Sequence, residues 1–207
     1  MAVLDELQQA IISGNRDRAK ELTQQALDEE LEPRKIVVDG IAAAMEVVGE
    51  KFRANEFFVP ELLIAQRAMK ESLKMMSGTP IDHVGTIVIG TVRGDLHDIG
   101  KNLVAAMLEG AGFKVVDLGV DVSPDQFVSA GSENSANIVA MSALLTTTMG
   151  AMRETVQALE KAGLREKVCV LVGGAPVTQS YAEEIKADAY APDAATAVEK
   201  AKQLLPT

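Results

Sequence analysis

Beyond residue 84 the sequence alternates between two hydrophobic patterns, and this alternation constrains the fold more than any other feature of the chain. Short runs rich in β-branched residues predict strands at 86–90, 114–117, 138–141, 168–172 and 187–190. Apolar residues at helical spacing predict helices between and after them, at 99–111, 124–132, 149–162, 178–185 and 194–204. Five strand–helix repeats predict a parallel sheet covered on both faces, in the flavodoxin-like strand order.

The first 76 residues lack this alternation, and their apolar residues recur only at helical spacing. Four such segments with short connections predict a small helical bundle. Residues 77–80, Ser-Gly-Thr-Pro, interrupt both patterns and are typical of a linker. The expected fold class is therefore α/β plus all-α. An N-terminal four-helix bundle domain over 1–78 is followed by a Rossmann-like domain with a five-stranded parallel sheet over 84–207.

The chain is acidic, with 30 Asp and Glu against 20 Lys and Arg and a net charge of −10. Nucleic acids and anionic membranes select basic surfaces, so we expect neither as a partner. No apolar run is long enough to span a bilayer, and the first residues lack the pattern of a signal peptide. The single cysteine, Cys169, lies in an apolar run. It predicts a buried thiol in a cytoplasmic protein.

Three loops that follow the first, third and fourth predicted strands carry the chemically informative residues. Residues 95–100 read Asp-Leu-His-Asp-Ile-Gly, residues 142–148 begin with Ser-Ala-Leu, and residues 173–174 are Gly-Gly. The carboxyl ends of parallel strands meet at one edge of a sheet, where ligands bind in open α/β folds. Because these three strands are neighbours in the flavodoxin-like order, the loops are expected to form one site.

Each residue type has a physical use at such a site. His97 can offer a neutral imidazole nitrogen to a metal, while Asp95 accepts the other ring N–H and fixes the tautomer. Ser142 can donate a hydrogen bond, and Leu144 can wall an apolar slot. Glycines at 173–174 leave room for a ligand against the backbone. Each motif alone is common, so their combination at one sheet edge carries the prediction of a ligand site.

The order and spacing of the motifs are specific. The chain has Asp-x-His-x-x-Gly, then Ser-x-Leu, then Gly-Gly; 41 residues separate Gly100 from Ser142, and 28 separate Leu144 from Gly173. In these motifs and gaps the second half resembles the cobalamin-binding domain shared by cobalamin-dependent methionine synthase, mutases and the small corrinoid proteins of methyltransferase systems. The first half resembles the helical cap of the methyl-carrying branch, through the segment 57–69 that begins Phe-Phe-Val-Pro.

The resemblance implies cobalamin or a related corrinoid as cofactor, in methylcobalamin and Co(I) forms, bound base-off with a histidine on the cobalt. His97 would be the lower axial ligand of the cobalt, and Asp95 and Thr148 would complete a catalytic relay behind it. Methionine synthase has serine at the third relay position; threonine at 148 differs from it but retains the hydroxyl group. The cofactor-binding residues implied are Phe57, Phe58 and Leu62 in the cap, and Gly94, Asp95, Leu96, His97, Asp98, Ile99, Gly100, Ser142, Leu144, Thr146, Thr148, Gly173, Gly174, Ala191 and Asp193.

The resemblance also implies a function. A carrier of this branch accepts a methyl group on Co(I) through a substrate-specific methyltransferase and passes it to the thiol or tetrahydropterin acceptor of a second methyltransferase. That role belongs to one-carbon metabolism, in methanogenesis or acetogenesis. It describes a subunit rather than a stand-alone enzyme, with a reductive activase as a further partner. Two alternatives stay open: a cobalamin-binding sensor or storage module without turnover, and the cobalamin subunit of a mutase. The motifs do not identify the methyl donor.

Overall fold

A computed structural model of the chain describes residues 2–76 and 83–205. The chain divides into two compact units. The helical unit comprises the residues up to 83 together with 109–112, and the sheet unit comprises 84–108 and the residues from 113 onward. The predicted linker at 77–80 lies outside the described residues. Over the described ranges, no helix is both long and apolar enough to cross a membrane.

The helical unit is built from the segments that the apolar spacing predicted. They are α1 (Ala2–Ile12), α2 (Arg16–Asp28), α3 (Pro33–Lys35), a π-helical segment (Ile36–Ala42), α4 (Ala43–Arg53) and α5 (Val59–Met75). The predicted third helix is therefore not regular, because a π-helical segment joins α3 to α4 without a break. Gly40 in this segment packs so closely that an added Cβ would lie 3.0 Å from Leu7 Cδ2. The buried side chains of the unit include Leu7, Ile11, Leu22, Ile41 and Met69.

The sheet unit alternates strands and helices as predicted. Its elements are β1 (Thr86–Thr91), α6 (Ile99–Gly110), β2 (Lys114–Asp117), α7 (Pro124–Glu133), β3 (Ile138–Ser142), α8 (Gly150–Lys161), β4 (Cys169–Gly173), α9 (Gln179–Glu184), β5 (Ala189–Ala191) and α10 (Ala194–Leu204). All five strands are parallel, in the order β2-β1-β3-β4-β5. This is the flavodoxin-like order, with its switch point between β1 and β3. The fold prediction is confirmed.

The register of the strands decides where the three loops begin. Thr91 pairs with Ser142, Ser142 pairs with Gly173, and Gly173 pairs with Ala191. The last residues of four strands therefore form one row across the carboxyl edge of the sheet. The interiors of the strands are buried, and β-branched side chains such as Val88 pack on the two covered faces of the sheet. The three loops that carry the motifs therefore begin side by side at the same edge of the sheet.

Candidate cofactor site

The carboxylate of Asp95 organises the carboxyl edge of the sheet. It is fully buried and accepts hydrogen bonds from two of the three loops. Oδ1 lies 2.7 Å from His97 Nδ1 and 3.1 Å from the His97 amide. Oδ2 accepts from the amides of Leu144 at 2.8 Å and Leu145 at 3.2 Å, and from the Thr148 hydroxyl at 2.7 Å. One side chain thus fixes the loop after β1 to the loop after β3.

These donors determine the charge of Asp95. Burial alone raises the pKa of the Asp95 carboxyl, because it removes water from the charged form. The hydrogen bonds from the Leu144 amide, the His97 ring and the Thr148 hydroxyl outweigh burial and lower that pKa well below its ordinary value. Asp95 is therefore an anion at neutral pH, and an anion can only accept hydrogen bonds.

The tautomer of His97 follows from this charge. An ionised Asp95 carries no proton to donate, so Nδ1 of His97 must hold the proton of their 2.7 Å hydrogen bond. In the neutral ring, Nε2 then carries a lone pair. The His97 side chain is 52% exposed although its partner is fully buried. The loop is further held by the Thr91 hydroxyl, which donates to the His97 carbonyl at 2.9 Å. The arrangement presents one basic nitrogen, oriented in advance, at an accessible surface.

Thr148 lies where the sequence predicted the third member of the relay. Its side chain is buried, and its hydroxyl is 2.7 Å from Asp95 Oδ2 and 2.8 Å from the carbonyl of Leu145. The structure therefore brings His97, Asp95 and Thr148 together in that order. Because both oxygens of Asp95 are occupied by donors, Asp95 itself has no position free for a metal. Among the residues that the structure describes, no three His, Cys, Asp or Glu side chains are grouped to hold a metal ion, so the nitrogen of His97 suits a metal whose other ligands come from a macrocycle.

Exposed apolar side chains lie in the loops that carry this polar relay and in the neighbouring loop after β2. Leu96, the residue before His97, is 71% exposed, and Ile99, two residues after it, is 79% exposed. We call the full set the apolar rim; it consists of Leu96, Ile99, Val120, Leu144 and Leu145. Val120 and Leu145 were missed by the sequence analysis. Leu145 adjoins the Ser-x-Leu motif, and Val120 follows β2, whose loop carries no motif. Exposed apolar patches of this kind mark ligand or partner sites.

The glycines of the motifs divide into two kinds. A Cβ on Gly100 would meet nothing within 4 Å, so the packing of this chain leaves open space there. On Gly173 it would lie 2.8 Å from the Ala191 carbonyl oxygen, and on Gly174 only 1.9 Å from the Ala143 carbonyl oxygen. Gly174 also has φ of +126°, which favours glycine. The backbone of the sheet therefore requires glycine at 173–174 even without a ligand, whereas the space at Gly100 is free for one.

The other predicted cofactor contacts in the sheet unit lie in the motif loops, at the row of strand ends or just after β5. Ser142 is half-buried at the end of β3, and Ala191 is buried at the end of β5. Asp193 caps α10, accepting from the amide of Thr196 at 2.8 Å. Asp98, Thr146 and Gly94 are exposed, and the Gly94 amide donates to Asp121 Oδ1 at 2.7 Å.

The predicted contacts in the helical unit differ in their exposure. Phe58 is exposed at the start of α5, whereas Phe57 is half-buried with the Lys51 ammonium 5.2 Å from its ring centroid. Leu62 is buried in the core of the helical unit. Contact of these three side chains with a corrinoid stays a prediction.

The residues of the site fit a corrinoid on these observations. One neutral imidazole can serve as an axial ligand, an apolar rim can cover a large flat macrocycle, and open space adjoins Gly100. Sequence comparison agrees with that fit. A family model described as a B12 binding domain matches residues 85–201, and a second model with the same description matches residues 3–76.

Individual relatives resemble the whole chain. The dimethylamine corrinoid protein 1 of Methanosarcina mazei is 44% identical over 98% of this chain and 96% of its own length. The crystal structure of a cobalamin-binding protein from Desulfitobacterium hafniense matches with a TM-score of 0.79 at 31% identity, covering 98% of both chains. A methanol:cobalamin methyltransferase complex of Methanosarcina barkeri matches with a TM-score of 0.89 at 30% identity, over 98% of this chain and 79% of the other.

Proposed function

The chain belongs to the family of B12-binding corrinoid proteins, and from that membership we propose that it is the corrinoid methyl carrier of a methyltransferase system. The single observation that carries this proposal is the locked tautomer of His97, whose Nε2 lone pair stands within an exposed apolar rim. When bound, the corrinoid supplies a cobalt atom that accepts and releases a methyl group. The chain supplies ligation, orientation and exclusion of water.

In this proposal His97 is the lower axial ligand, and the corrinoid binds with its own base displaced. Asp95 keeps the proton on Nδ1, so Nε2 stays free to ligate, and Thr148 holds Asp95 in place at 2.7 Å. A hydrogen-bonded anion behind a ligating histidine raises the basicity of the ring. The relay of His97, Asp95 and Thr148 would therefore set how strongly the histidine can hold the metal of a bound corrinoid.

The row of strand ends is the proposed site for the displaced nucleotide tail. Ser142 lies between Thr91 and Gly173 in this row and is half-buried. Its hydroxyl can donate to a nitrogen of the tail's base, and the absence of a side chain at Gly173 keeps the neighbouring strand end flat. The apolar rim, above all Leu96 and Ile99, would remove apolar macrocycle surface from water.

The proposed partners are a substrate-specific methyltransferase, a second methyltransferase and a reductive activase, all in the cytoplasm. The methyl source we propose is a methylated amine, because the 44% identical relative from M. mazei is named for dimethylamine, whereas the methanol system matches at 30% identity. A mutase subunit is less well supported, since these two similar proteins are named for dimethylamine and for methanol methyl transfer. A storage module would bind the corrinoid without transferring methyl groups, and an assay of methyl transfer would distinguish it from a carrier.

The first arm of the experiment separates binding from ligation. The apo-protein is titrated with hydroxocobalamin, and affinity and absorption spectrum are recorded for wild type, His97→Ala and the double variant L96A/I99A. His97→Ala is expected to change the spectrum of the bound cofactor, because its axial ligand is lost. L96A/I99A is expected to weaken binding while the wild-type spectrum is kept. Identical spectra for wild type and His97→Ala would refute ligation by His97.

The second arm tests transfer. The reduced, corrinoid-loaded wild type is mixed with a methylamine:corrinoid methyltransferase and ¹⁴C-labelled dimethylamine, and in parallel with a methanol-specific enzyme and labelled methanol. Label retained by the protein and then released to an added thiol by a second methyltransferase supports a carrier. Retention only with methanol would refute the amine as the source. No retention in either mixture, with the cofactor tightly bound, would indicate a storage module.

A further inference from the structure

An ion pair formed by a buried lysine adjoins the loop that carries His97 and has no part in the function proposed above. Lys101 stands in the first turn of α6, four residues after His97, yet its side chain is only 1% exposed. Its ammonium lies 2.6 and 2.5 Å from the two carboxylate oxygens of Asp117, at the end of β2. A third acceptor, Asn102 Oδ1, lies at 2.6 Å. Each of its three protons therefore has an acceptor.

A buried lysine at this position needs a reason. Lysine is rarely buried, and removing an ammonium ion from water is unfavourable even when the ion is paired. An apolar side chain of similar volume is often neutral or stabilising at such a position. Asp117 is 41% exposed and could remain hydrated without its partner. Fold stability alone therefore does not explain why the cation is buried here.

One hydrogen-bonded path leads from this ion pair to the backbone of His97. Asp117 Oδ1 also accepts from the Gly119 amide at 2.9 Å, and the Gly119 carbonyl accepts from the Thr91 amide at 3.0 Å. The hydroxyl of Thr91, which is fully buried, donates to the His97 carbonyl at 2.9 Å. Hydrogen bonds through the turn at Gly119 and the end of β1 thus connect Asp117 to the backbone of His97.

A second path reaches the residue that follows His97. Asn102 accepts from the Lys101 ammonium and donates its side-chain amide to Asp98 Oδ2 at 3.0 Å. The Asn102 backbone amide also donates to the Asp98 carbonyl at 2.7 Å. Two hydrogen-bonded paths therefore hold the loop at His97: one ends at the His97 carbonyl and the other at the next residue, Asp98. Both begin at the Lys101 ammonium.

We propose that Lys101 is a positioning residue, whose ion pair with Asp117 holds residues 94–98 in the conformation that presents Nε2 of His97 to a corrinoid cobalt. The inference rests on the proposed ligation by His97 and adds a residue that acts through it. The exposed loop has no regular secondary structure over 95–98, and it carries the apolar Leu96 outward. Such a segment needs fixed anchors if its histidine is to be oriented before the cofactor arrives.

The first test uses the protein without cofactor. Hydrogen exchange at the amide of His97, which donates to Asp95 Oδ1, is compared in wild type, Lys101→Met, Asp117→Asn and the control Arg165→Met. Arg165 forms a comparable partly buried ion pair with Asp188 at 2.8 Å, remote from the loop. Exchange is expected to be about tenfold faster or more in the two loop variants and unchanged in the control, since local opening sets the rate.

The second test uses the same proteins loaded with cobalamin and reduced to the Co(II) form. Nitrogen hyperfine splitting in the electron paramagnetic resonance spectrum reports the fraction with His97 on the cobalt. That fraction is expected to fall in Lys101→Met and Asp117→Asn, and to fall no further in the double variant, because the pair acts as one unit. Arg165→Met should match wild type in this splitting even if its melting temperature falls.

The outcomes separate the inference from the function on which it rests. Wild-type nitrogen splitting that persists in Lys101→Met, together with unchanged exchange at His97, would overturn the positioning role and leave ligation intact. Absence of nitrogen splitting in the wild type would refute ligation by His97. Exchange would then still decide whether Lys101 fixes the loop. A lower melting temperature with neither readout altered would show that the pair is only structural, which also overturns the inference.

Discussion

Asp95→Asn should invert the tautomer of His97 and thereby weaken its ability to ligate a metal. The amide can keep its oxygen at the position of Oδ2, where it still accepts from Leu144, Leu145 and Thr148. Its NH₂ group then faces His97, where Oδ1 now accepts two hydrogen bonds. To accept from this NH₂ group, Nδ1 must lose its proton, which moves to Nε2. The opposite amide orientation would place the NH₂ group against three donors and is less favourable.

The magnitude follows from the bonds that change. The His97 amide would face another donor, at about 1–3 kcal/mol for an unsatisfied buried group, and the retained bonds would lose their charge-assisted character. We therefore expect the free energy of unfolding to fall by about 2–4 kcal/mol. Removing a partner that orients a metal-bound histidine costs about 10- to 100-fold in ligation. That factor corresponds to about 1.4–2.8 kcal/mol at the axial position.

The assay is ¹⁵N NMR of the histidine ring in the cofactor-free protein, which distinguishes a protonated Nδ1 from a protonated Nε2. Chemical denaturation supplies the unfolding free energy. The matched control is Asp121→Asn, because Asp121 Oδ1 accepts only the Gly94 amide and does not touch the ring. An Asn oxygen can replace that acceptor, so the control should keep the wild-type tautomer. A His97 ring that stays protonated on Nδ1 in Asp95→Asn would refute the reasoning.

Three further outcomes are expected from the same geometry. Thr148→Val should lower the free energy of unfolding by about 1–2 kcal/mol, and Thr148→Ser by less, because only the valine loses the 2.7 Å bond to the carboxylate; urea denaturation measures both. Gly174→Ala should prevent folding or cost more than about 3 kcal/mol, since its Cβ would lie 1.9 Å from a carbonyl oxygen, whereas Gly100→Ala should change apo-protein stability by less than about 0.5 kcal/mol yet weaken hydroxocobalamin binding. Burial raises the pKa of the Cys169 thiol, so iodoacetamide at pH 8 should label the folded protein more slowly than the urea-unfolded chain; equal rates would contradict the burial.

The strands and helices could be predicted because β-branched runs and helical spacing are local signals, and their regular alternation indicated the flavodoxin-like order. The strand ends could not be, because register depends on pairing across the sheet. The first strand extends to Thr91, and the fourth ends at Gly173 rather than one residue earlier. These additional residues at the strand ends complete the row formed by Thr91, Ser142, Gly173 and Ala191. The fifth strand was predicted over four residues and has three, Ala189–Ala191.

The relay could be predicted as a set of residues because the motifs fix its members and their spacing. Its supporting network could not. Lys101 and Asp117 are 16 residues apart, at the start of α6 and the end of β2, and their contact depends on how these two elements fold against each other. A lysine in an amphipathic helix predicts a solvated side chain, so nothing local indicated its burial. Conversely, Leu96 and Ile99 are of residue types typical of a core and are exposed, which agrees with their proposed place in the cofactor site.

The site separates the forces that hold a cofactor from the forces that set its reactivity. Burying one large aliphatic side chain contributes about 1.5–3 kcal/mol, so covering Leu96 and Ile99 alone contributes several kcal/mol to binding, without regard to the axial ligand. In the proposed site, ligation by His97 would depend instead on the Nδ1 proton that Asp95 holds at 2.7 Å, while the Thr148 hydroxyl holds Asp95 in place at 2.7 Å. A methyl carrier of the kind proposed would have to keep its cofactor through every cycle, whatever the strength of the bond from His97. Affinity that resides in the rim permits this, because the histidine can then respond to the state of the metal without releasing the macrocycle.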